Sequence, residues 1–355
     1  MARKGNSLKA LVTGATGFVG AHLVRALGEA GHTVRALHRP TSKLDALAGL
    51  TYESALGDVT DLAALRAAAD GCDWVFHVAA VADYWRADVQ HMIDVNVMGT
   101  RYVLQAARQA DVKRVVFTSS AAAVGFREDR PADENDAFNL PPDDFPYGYS
   151  KAQAEIVVRE AVQSGQEVVV VNPVVVMGPG DLNVISGEFV LNIKRLQWSV
   201  PVPPGGVGVI DVRDVARMQI AAAEKGRVGE RYILCAANYR YAEWFGLIAD
   251  VAGVARPGFP LPRWSLAPLA DLFEMLQGYG IKLPIDGNQM RRSGENLSFD
   301  GSKAWAELGK PQIDMRQSLV DTYDWYLEHG YIQPDIVAQL IDEVGRLIGA
   351  KPSGG

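Results

Sequence analysis

The sequence predicts an α/β protein built on a doubly wound parallel sheet, with a smaller, interwoven C-terminal lobe. Three observations predict this class. From residue 8 to about residue 172, short Val-rich runs of strand length alternate with segments of helical periodicity, and this order is typical of βαβ units. The first such run ends in a glycine-rich turn, and after residue 172 the alternation weakens as proline and glycine become frequent.

The N-terminal elements follow one another in a regular order. Short runs rich in Val and Phe are typical of buried parallel strands, and we expect strands at Leu8–Thr13, Thr33–Leu37, Asp73–Val78, Arg114–Thr118 and Glu167–Val171. Longer segments with apolar residues near helical spacing predict helices at Gly17–Glu29, roughly Val89–Ala110, and Tyr147–Ser164. Together these elements predict a sheet with helices on both faces.

The C-terminal half is expected to form a smaller lobe that is woven into the sheet, since no clean linker separates the two parts. Amphipathic helices are expected at Leu266–Gly278 and Met315–His329. We therefore expect residues 1–172 to form mainly the large sheet domain and residues 173–350 mainly the lobe, with some segments returning to the sheet. Residues 351–355 are expected to be a disordered tail.

Composition excludes several classes of protein. The 355 residues carry a formal net charge of −7, which disfavours a nucleic-acid partner. Two cysteines make no disulfide framework, and no Cys/His cluster has the spacing of metal ligands, so no metal site is expected. The N-terminus lacks the apolar core of a signal peptide, and no apolar run reaches bilayer length. We expect a cytoplasmic protein without a membrane partner.

Three glycines mark the turn between the first strand and the first helix. Gly14, Gly17 and Gly20 would permit a tight turn in which backbone N–H groups approach a pyrophosphate, and a helix N-terminus favours such an anion. The spacing is Gly-x-x-Gly-x-x-Gly, not the usual dinucleotide fingerprint Gly-x-Gly-x-x-Gly. Taken alone, the turn could equally hold no ligand.

The end of the second strand bears on the choice of dinucleotide. An NAD-selective enzyme places an acid there for the ribose hydroxyls, but the sequence has Arg39, Ser42 and Lys43, and the first acid is Asp45. Arginine suits a 2′-phosphate, so NADP is the expected cofactor and NAD the alternative. An ordinary solvated loop would show the same charges. Asp58, after the third strand, could bind the adenine amino group or cap the next helix.

A tyrosine and a lysine share one face of a predicted helix. Tyr147 and Lys151 are four residues apart. A neighbouring ammonium lowers the pKa of a tyrosine from its ordinary value near ~10, and it could also hold ribose hydroxyls. Ser120, after the preceding strand, could donate a hydrogen bond to a substrate oxygen. This trio predicts hydride-transfer chemistry with Tyr147 as the acid/base; the tyrosine–lysine pair alone could be an exposed helical pair. Tyr149 has the wrong spacing to Lys151.

Several motifs in this order resemble those of the extended short-chain dehydrogenases/reductases, the family of NAD-dependent epimerases and dehydratases. The matching pieces are Thr13–Gly20, Gly57-Asp58, Val75–Ala80, Asn96–Thr100, Val116–Ala121, Tyr147 with Lys151, Asn172-Pro173 with Gly178–Gly180, Asp211–Ala216, and Phe299–Ala304 with Leu308-Gly309. The resemblance implies a Rossmann-type dinucleotide-binding domain and a substrate-binding lobe.

The resemblance also implies roles for particular residues. Val78–Ala80 would line the nicotinamide side, Asn96 would support the active-site helix, and Pro173 would bound the nicotinamide pocket. The complete set of expected cofactor-binding residues is Gly14, Thr16, Gly17, Phe18, Val19, Gly20, Arg39, Ser42, Lys43, Asp58, Val59, Val78, Ala79, Ala80, Asn96, Thr118, Tyr147, Lys151, Pro173 and Val175. Family members commonly pair the two helices at 89–110 and 147–164, so a homodimer is expected.

Two stretches of the sequence resemble particular branches of this family. The Arg39 loop is similar to dihydroflavonol-4-reductase-like and 3β-hydroxysteroid-dehydrogenase-like members, and the stretch at residues 82–86 is similar to hopanoid-associated epimerase-like proteins. Gly206–Ile210 offers no cation for a diphosphate, which disfavours a nucleotide sugar. The residues expected to contact substrate are Tyr84, Trp85, Ser120, Met177 and Phe189, although most of the apolar ones would equally suit the lobe core.

The expected function is therefore an NAD(P)-dependent oxidoreductase that interconverts a ketone or aldehyde and an alcohol on a mainly apolar small molecule. One alternative is a nucleotide-sugar epimerase or dehydratase that retains its cofactor. A remote alternative is a non-catalytic dinucleotide sensor, which the presence of Ser120, Tyr147 and Lys151 disfavours.

Overall fold

Seven parallel strands form the large sheet of the computed structural model, which describes residues 7–82, 88–279 and 287–333. In chain order the strands of these ranges are β1 (Lys9–Thr13), β2 (Thr33–His38), β3 (Glu53–Leu56), β4 (Trp74–His77), β5 (Arg114–Thr118), β6 (Val168–Pro173), β7 (Val175–Met177), β8 (Pro201–Val202), β9 (Gly206–Asp211), β10 (Arg231–Leu234), β11 (Ala237–Arg240), β12 (Phe259–Pro260) and β13 (Asn296–Leu297). The large sheet has the order β10-β6-β5-β4-β1-β2-β3. The expected doubly wound fold is confirmed.

Helices cover both faces of this sheet. The helices of the described ranges, including those of the lobe, are α1 (Phe18–Glu29), α2 (Leu62–Ala69), α3 (Val89–Ile93), α4 (Gly99–Gln109), α5 (Pro146–Gln163), α6 (Glu188–Leu196), α7 (Val212–Lys225), α8 (Tyr241–Ala252), α9 (Leu266–Gly278), α10 (Gly287–Arg292), α11 (Ser302–Glu307) and α12 (Met315–Glu328). Alternate strand residues face opposite sides: Ala10 and Val12 pack in the cluster under α1 and α7, whereas Leu11 packs in the cluster under α2, α4 and α5.

The helix expected at Val89–Ala110 is interrupted. A π-helical segment, Asp94–Met98, joins α3 to α4. Its residue Asn96 is 1% exposed, and the extra backbone residue of a π turn is a common feature of functional sites. The hydrophobic periodicity of the sequence gives no sign of this insertion.

The C-terminal residues build a second, smaller sheet and also return to the first. Strand β9 pairs in parallel with β7 and β13 and antiparallel with β11, and α6, α8 and α12 share its apolar core. Strand β10 nevertheless lies at the edge of the large sheet, and α7 packs on α1. Within the described ranges, no helix is both long and apolar enough to cross a membrane.

Candidate active site

The glycine turn after β1 packs directly against the residues that follow the C-terminal end of β4. Gly14 has a φ of +67°, which L side chains rarely adopt, and a Cβ there would lie 2.6 Å from the backbone nitrogen of Ala79. A Cβ at Gly20 would lie 2.1 Å from the carbonyl oxygen of Gly14. Two of the three glycines are therefore required by close backbone approach, which brings β1, α1 and the β4 exit together.

The N-terminus of α1 fits a phosphate group. The residue before this helix is Gly17, which supplies no side-chain cap, and the first turn contains no acidic residue. The first N–H groups of a helix have no partner within it, and their positive end attracts an anion. With no carboxylate competing for these donors, the turn can hold the pyrophosphate of a dinucleotide.

A series of buried hydrogen bonds joins the end of β1, before the glycine turn, to the neighbouring strand β4. Thr13 Oγ1 accepts hydrogen bonds of 3.2 Å from the backbone N–H groups of Val78 and Ala79 and lies 2.8 Å from His77 Nδ1. The Nε2 atom of His77 lies 3.0 Å from Thr100 Oγ1. Because Thr13 already accepts two bonds, its hydroxyl donates to Nδ1, which places the imidazole proton on Nε2. Burial, together with the Lys151 charge, lowers the pKa of His77 to about 3, so it is neutral.

Asn96 connects the loop after β4 to the helix that carries the tyrosine. Its Oδ1 accepts from the N–H of Val81 at 2.8 Å, and its Nδ2 donates to the carbonyl of Val81 at 3.1 Å and to Ser150 Oγ at 2.9 Å. Ser150 in turn donates to the carbonyl of Tyr147 at 2.8 Å. Asn96 thus joins the first turn of α5 to the loop after β4.

The loop after β2 presents its cations to solvent. Arg39 and Lys43 are exposed, and Ser42 Oγ accepts a 3.2 Å hydrogen bond from the backbone N–H of Arg39. In the described part of the chain, neither cation forms an ion pair with a carboxylate. Both cations are therefore available to an anionic group, which is what a 2′-phosphate site requires.

Asp58 is turned towards its own loop and does not cap the next helix. Its Oδ1 accepts from the backbone N–H of Thr60 at 2.9 Å and from the Thr60 hydroxyl at 2.7 Å. The cap of α2 is Asp61, which accepts from Ala63 and Ala64. The capping role that the sequence left open for Asp58 is therefore performed by Asp61.

Tyr147 lies at the start of α5, buried and hydrogen-bonded to Ser120. Burial raises the pKa of Tyr147 to about 12, and the hydrogen bond with Ser120 opposes this only in part. Ser120 Oγ also accepts from the N–H of Ala122 at 3.2 Å. The phenol is therefore protonated at neutral pH and is able to donate its proton.

Lys151 lies one turn further along α5, and its ammonium points to the backbone. Its Nζ donates a 2.8 Å hydrogen bond to the carbonyl of Thr118 and lies 4.7 Å from the centre of the Phe117 ring. Burial lowers the pKa of Lys151 to about 8, while the Glu155 carboxylate acts in the opposite direction. The sequence-based expectation that Lys151 lowers the pKa of Tyr147 is not what the structure shows, because burial of the phenol dominates.

Other predicted residues lie at β6 and β7, beside the start of α4, and in the lobe core. Pro173 ends β6, Val175 begins β7, and Val59 is buried beneath Gly99. Met177 is 1% exposed in the lobe core, and Phe189 packs beside Tyr241 and Phe245. The predicted substrate residues Tyr84 and Trp85 lie outside the described residues.

One cation near the site was missed by the sequence analysis. The Arg292 guanidinium lies 5.2 Å from the centre of the Phe145 ring, which is 6.3 Å from the ring of Tyr147. Its side chain is 13% exposed, burial lowers its pKa, and it pairs with Glu295 at 3.3 Å. The sequence gives no local sign that α10 approaches the start of α5.

Among the described residues, no cluster of His, Cys, Asp or Glu could hold a metal ion.

The fold and the site together define a dinucleotide-dependent enzyme with a Ser-Tyr-Lys centre. The model of the NAD dependent epimerase/dehydratase family matches residues 10–235 of this chain. The chain belongs to this family, within the extended short-chain dehydrogenases/reductases, and it is an NAD(P)-dependent enzyme.

Individual relatives include reductases. The chain is 37% identical over 333 residues to a protein of Synechocystis sp. provisionally named dihydroflavonol 4-reductase, covering 91% of this chain and 95% of that one. It is 34% identical over 344 residues to cinnamoyl-CoA reductase 1 of Arabidopsis thaliana, covering 91% and 90%. The crystal structure of gox2253 is similar with a TM-score of 0.80 and 34% identity, covering 91% of this chain and 99% of that one.

Proposed function

We propose that this protein is an NADP(H)-dependent oxidoreductase that interconverts a ketone or aldehyde and an alcohol on a mainly apolar small molecule. The observation that carries the proposal is the buried Tyr147 phenol, which is hydrogen-bonded to Ser120 and lies one helical turn before the buried Lys151 on α5. A phenol that holds its proton at neutral pH is suited to protonate an oxygen on which charge develops.

Each residue of the centre has a part in reduction. When bound, the reduced nicotinamide supplies a hydride to the carbonyl carbon. Ser120 donates a hydrogen bond to the carbonyl oxygen and orients it towards Tyr147, which transfers its phenolic proton to that oxygen. Lys151 would bind the ribose hydroxyls of the cofactor through its ammonium, and its charge would favour the phenolate that remains. In the reverse direction, the phenolate accepts the proton of the alcohol.

The cofactor preference rests on the loop after β2. Arg39 and Lys43 are exposed, lack carboxylate partners in the described ranges, and follow the strand that leads to the adenosine ribose in this fold. A 2′-phosphate would be bound by charge-assisted hydrogen bonds. We therefore assign NADP(H) as the preferred cofactor, with NAD(H) as the alternative.

The substrate class follows from the lobe and from the relatives. Residues 1–172 would supply mainly the dinucleotide site and residues 173–350 mainly the substrate site. Of the two expected substrate residues described in the lobe, Phe189 is partly exposed, whereas Met177 is buried in the core. Both named relatives are reductases by name. An apolar carbonyl compound is the substrate class that these points support.

A second candidate is a redox-neutral nucleotide-sugar epimerase or dehydratase. The position of Arg292 favours this candidate. A nucleotide sugar carries a diphosphate that needs a cation, and the mostly buried Arg292 guanidinium lies near Phe145. Its ion pair with Glu295 counts against that role, since the carboxylate already neutralises it.

The protein is also proposed to be a homodimer that pairs the helical segments expected at 89–110 and 147–164. The structure forms the first as α3, the π-helical segment and α4, and the second as α5. Met98 and Ile156 are 37% and 38% exposed there, and an isologous interface would bury such side chains against a second copy. The cytoplasmic location stays a prediction.

The test is a screen of purified protein with NADPH or NADH against apolar ketones and aldehydes, followed by absorbance at 340 nm. Net loss of NADPH with formation of the alcohol is expected. Conversion of a nucleotide sugar without net change in the dinucleotide would instead establish the second candidate.

A further inference from the structure

The side chain of Glu155 lies behind the catalytic centre. It follows Lys151 by one helical turn, as Lys151 follows Tyr147, so the three side chains share one face of α5. Glu155 is 3% exposed. Burying a carboxylate carries a large desolvation cost unless charged and hydrogen-bonding partners surround it, so its partners indicate what it does.

Three elements converge on this one carboxylate. Its Oε1 accepts from Ser119 Oγ at 2.6 Å and from Asn172 Nδ2 at 2.7 Å, and its Oε2 pairs with Arg231 Nη1 at 3.0 Å. Asn172 Nδ2 also donates to the carbonyl oxygen of Ser120 at 2.9 Å. Glu155 therefore joins α5 to the C-terminal ends of β5 and β6 and to the first residue of β10, and its partner Ser119 precedes Ser120.

We propose that Glu155 is a positioning residue: its carboxylate fixes the Ser119-Ser120 end of β5 against the helix that carries Tyr147 and Lys151, and it supplies the buried negative charge that balances the Lys151 ammonium. The catalytic hydrogen bond joins two elements, Ser120 after β5 and Tyr147 on α5. Glu155 holds the same two elements together from behind. A displacement of about 1 Å in such a centre is enough to slow catalysis severely.

The charge of Glu155 acts on Lys151 without direct contact. Glu155 pairs with Arg231 and not with Lys151, yet it raises the pKa of Lys151 against the effect of burial. Of the other groups on neighbouring elements, His77 of β4 is neutral, and Asp94 of the π-helical segment is exposed. Loss of the Glu155 charge should therefore leave Lys151 with a lower pKa than about 8, and less of it charged at neutral pH.

The test titrates Lys151 directly by NMR in the full chain labelled with 13C,15N-lysine, its signal being assigned by its loss in Lys151→Met. In Glu155→Gln the midpoint is expected to fall by about one pH unit, a shift typical of losing one nearby opposite charge. The control is Glu160→Gln on the same helix, whose carboxylate is 54% exposed and pairs with Arg101. It should titrate as wild type, because solvent screens that charge. An unchanged midpoint in folded Glu155→Gln would overturn the proposal.

A conservative variant separates charge from position. Glu155→Asp keeps the negative charge but withdraws the carboxylate from Ser119 and Asn172 by one methylene. The Lys151 midpoint should stay near the wild-type value while turnover of an NADPH-reducible carbonyl compound falls at least about tenfold, mainly in kcat. Wild-type turnover in Glu155→Asp would contradict the positioning role. If Glu155→Gln did not fold, the Glu155→Asp measurements would decide the proposal.

The positioning role rests on the proposed function, but its failure can be told apart from failure of that function. The titration needs neither substrate nor cofactor. If wild type reduced no carbonyl compound and the Lys151 midpoint still fell in Glu155→Gln, the proposed function would be wrong and the electrostatic role of Glu155 would stand. The Arg231 guanidinium also donates to the carbonyl oxygens of Glu134 and Asp136, so it keeps acceptors in this variant.

Discussion

The ammonium of Lys151 donates a 2.8 Å hydrogen bond to the carbonyl oxygen of Thr118, two residues before Ser120. The ammonium is therefore held at the end of β5, and burial dominates the pKa of the Tyr147 phenol. The pKa of Tyr147 is accordingly raised to about 12. Such an arrangement favours a protonated tyrosine at neutral pH.

Replacement of Tyr147 by Phe is expected to lower kcat by at least about 100-fold, because the proton donor is lost. The phenyl ring keeps its packing, so Tm and NADPH affinity should stay near wild type. The control is Tyr149→Phe, which removes a hydroxyl two residues away on the same helix, from a ring that packs beside Phe138. It should leave the rate of NADPH oxidation unchanged. Retention of more than about a tenth of wild-type kcat in Tyr147→Phe would exclude the assigned role.

The stability of the unliganded protein should depend on Lys151 in a defined pH window. Burial lowers the pKa of Lys151 from 10.5 to about 8, so between these values the unfolded chain binds more protons than the folded one. Stability therefore rises with pH across that window. Lys151→Met should be more stable than wild type at pH 7, and the gap should shrink by pH 10. Thermal unfolding of both proteins at the two pH values is the measurement, and a gap independent of pH would contradict it.

Dimer formation should depend on the exposed face of α5. Ile156→Glu would place a carboxylate where a second copy is proposed to pack, so light scattering should report a monomer where wild type gives a dimer. Leu272→Glu is the matched control, since Leu272 is 42% exposed on α9, a helix that is not part of the proposed interface. It should leave the dimer intact. A monomeric wild-type protein at micromolar concentration would refute the interface.

Sequence reasoning succeeded where local pattern determines structure. Buried parallel strands are Val-rich, so β5 was predicted with the bounds that the structure shows, and the amphipathic helix Leu266–Gly278 is α9 without change. The spacing of Tyr147 and Lys151 placed both on one helical face. These features depend on periodicities of two or about four residues.

Features that depend on distant contacts could not be predicted in this way. The pair of Glu155 and Arg231 joins residues 76 positions apart, and the approach of Arg292 to Phe145 depends on how the lobe folds over α5. The direction of the Tyr147 pKa also needed the structure, because it depends on the depth of burial and on where the Lys151 ammonium points.

Cofactor preference should depend on Arg39. A charge-assisted hydrogen bond to a phosphate contributes roughly 1.5–3 kcal/mol, so Arg39→Asp should weaken NADPH binding about tenfold or more relative to NADH. The new carboxylate would also repel the 2′-phosphate and accept hydrogen bonds from the ribose hydroxyls of NADH. Arg316→Asp is the control, since it makes the same charge change at an exposed position on α12. Calorimetric titration of both cofactors decides the matter. Equal or tighter binding of NADH by wild type would mean that the exposed cations of this loop do not select the 2′-phosphate.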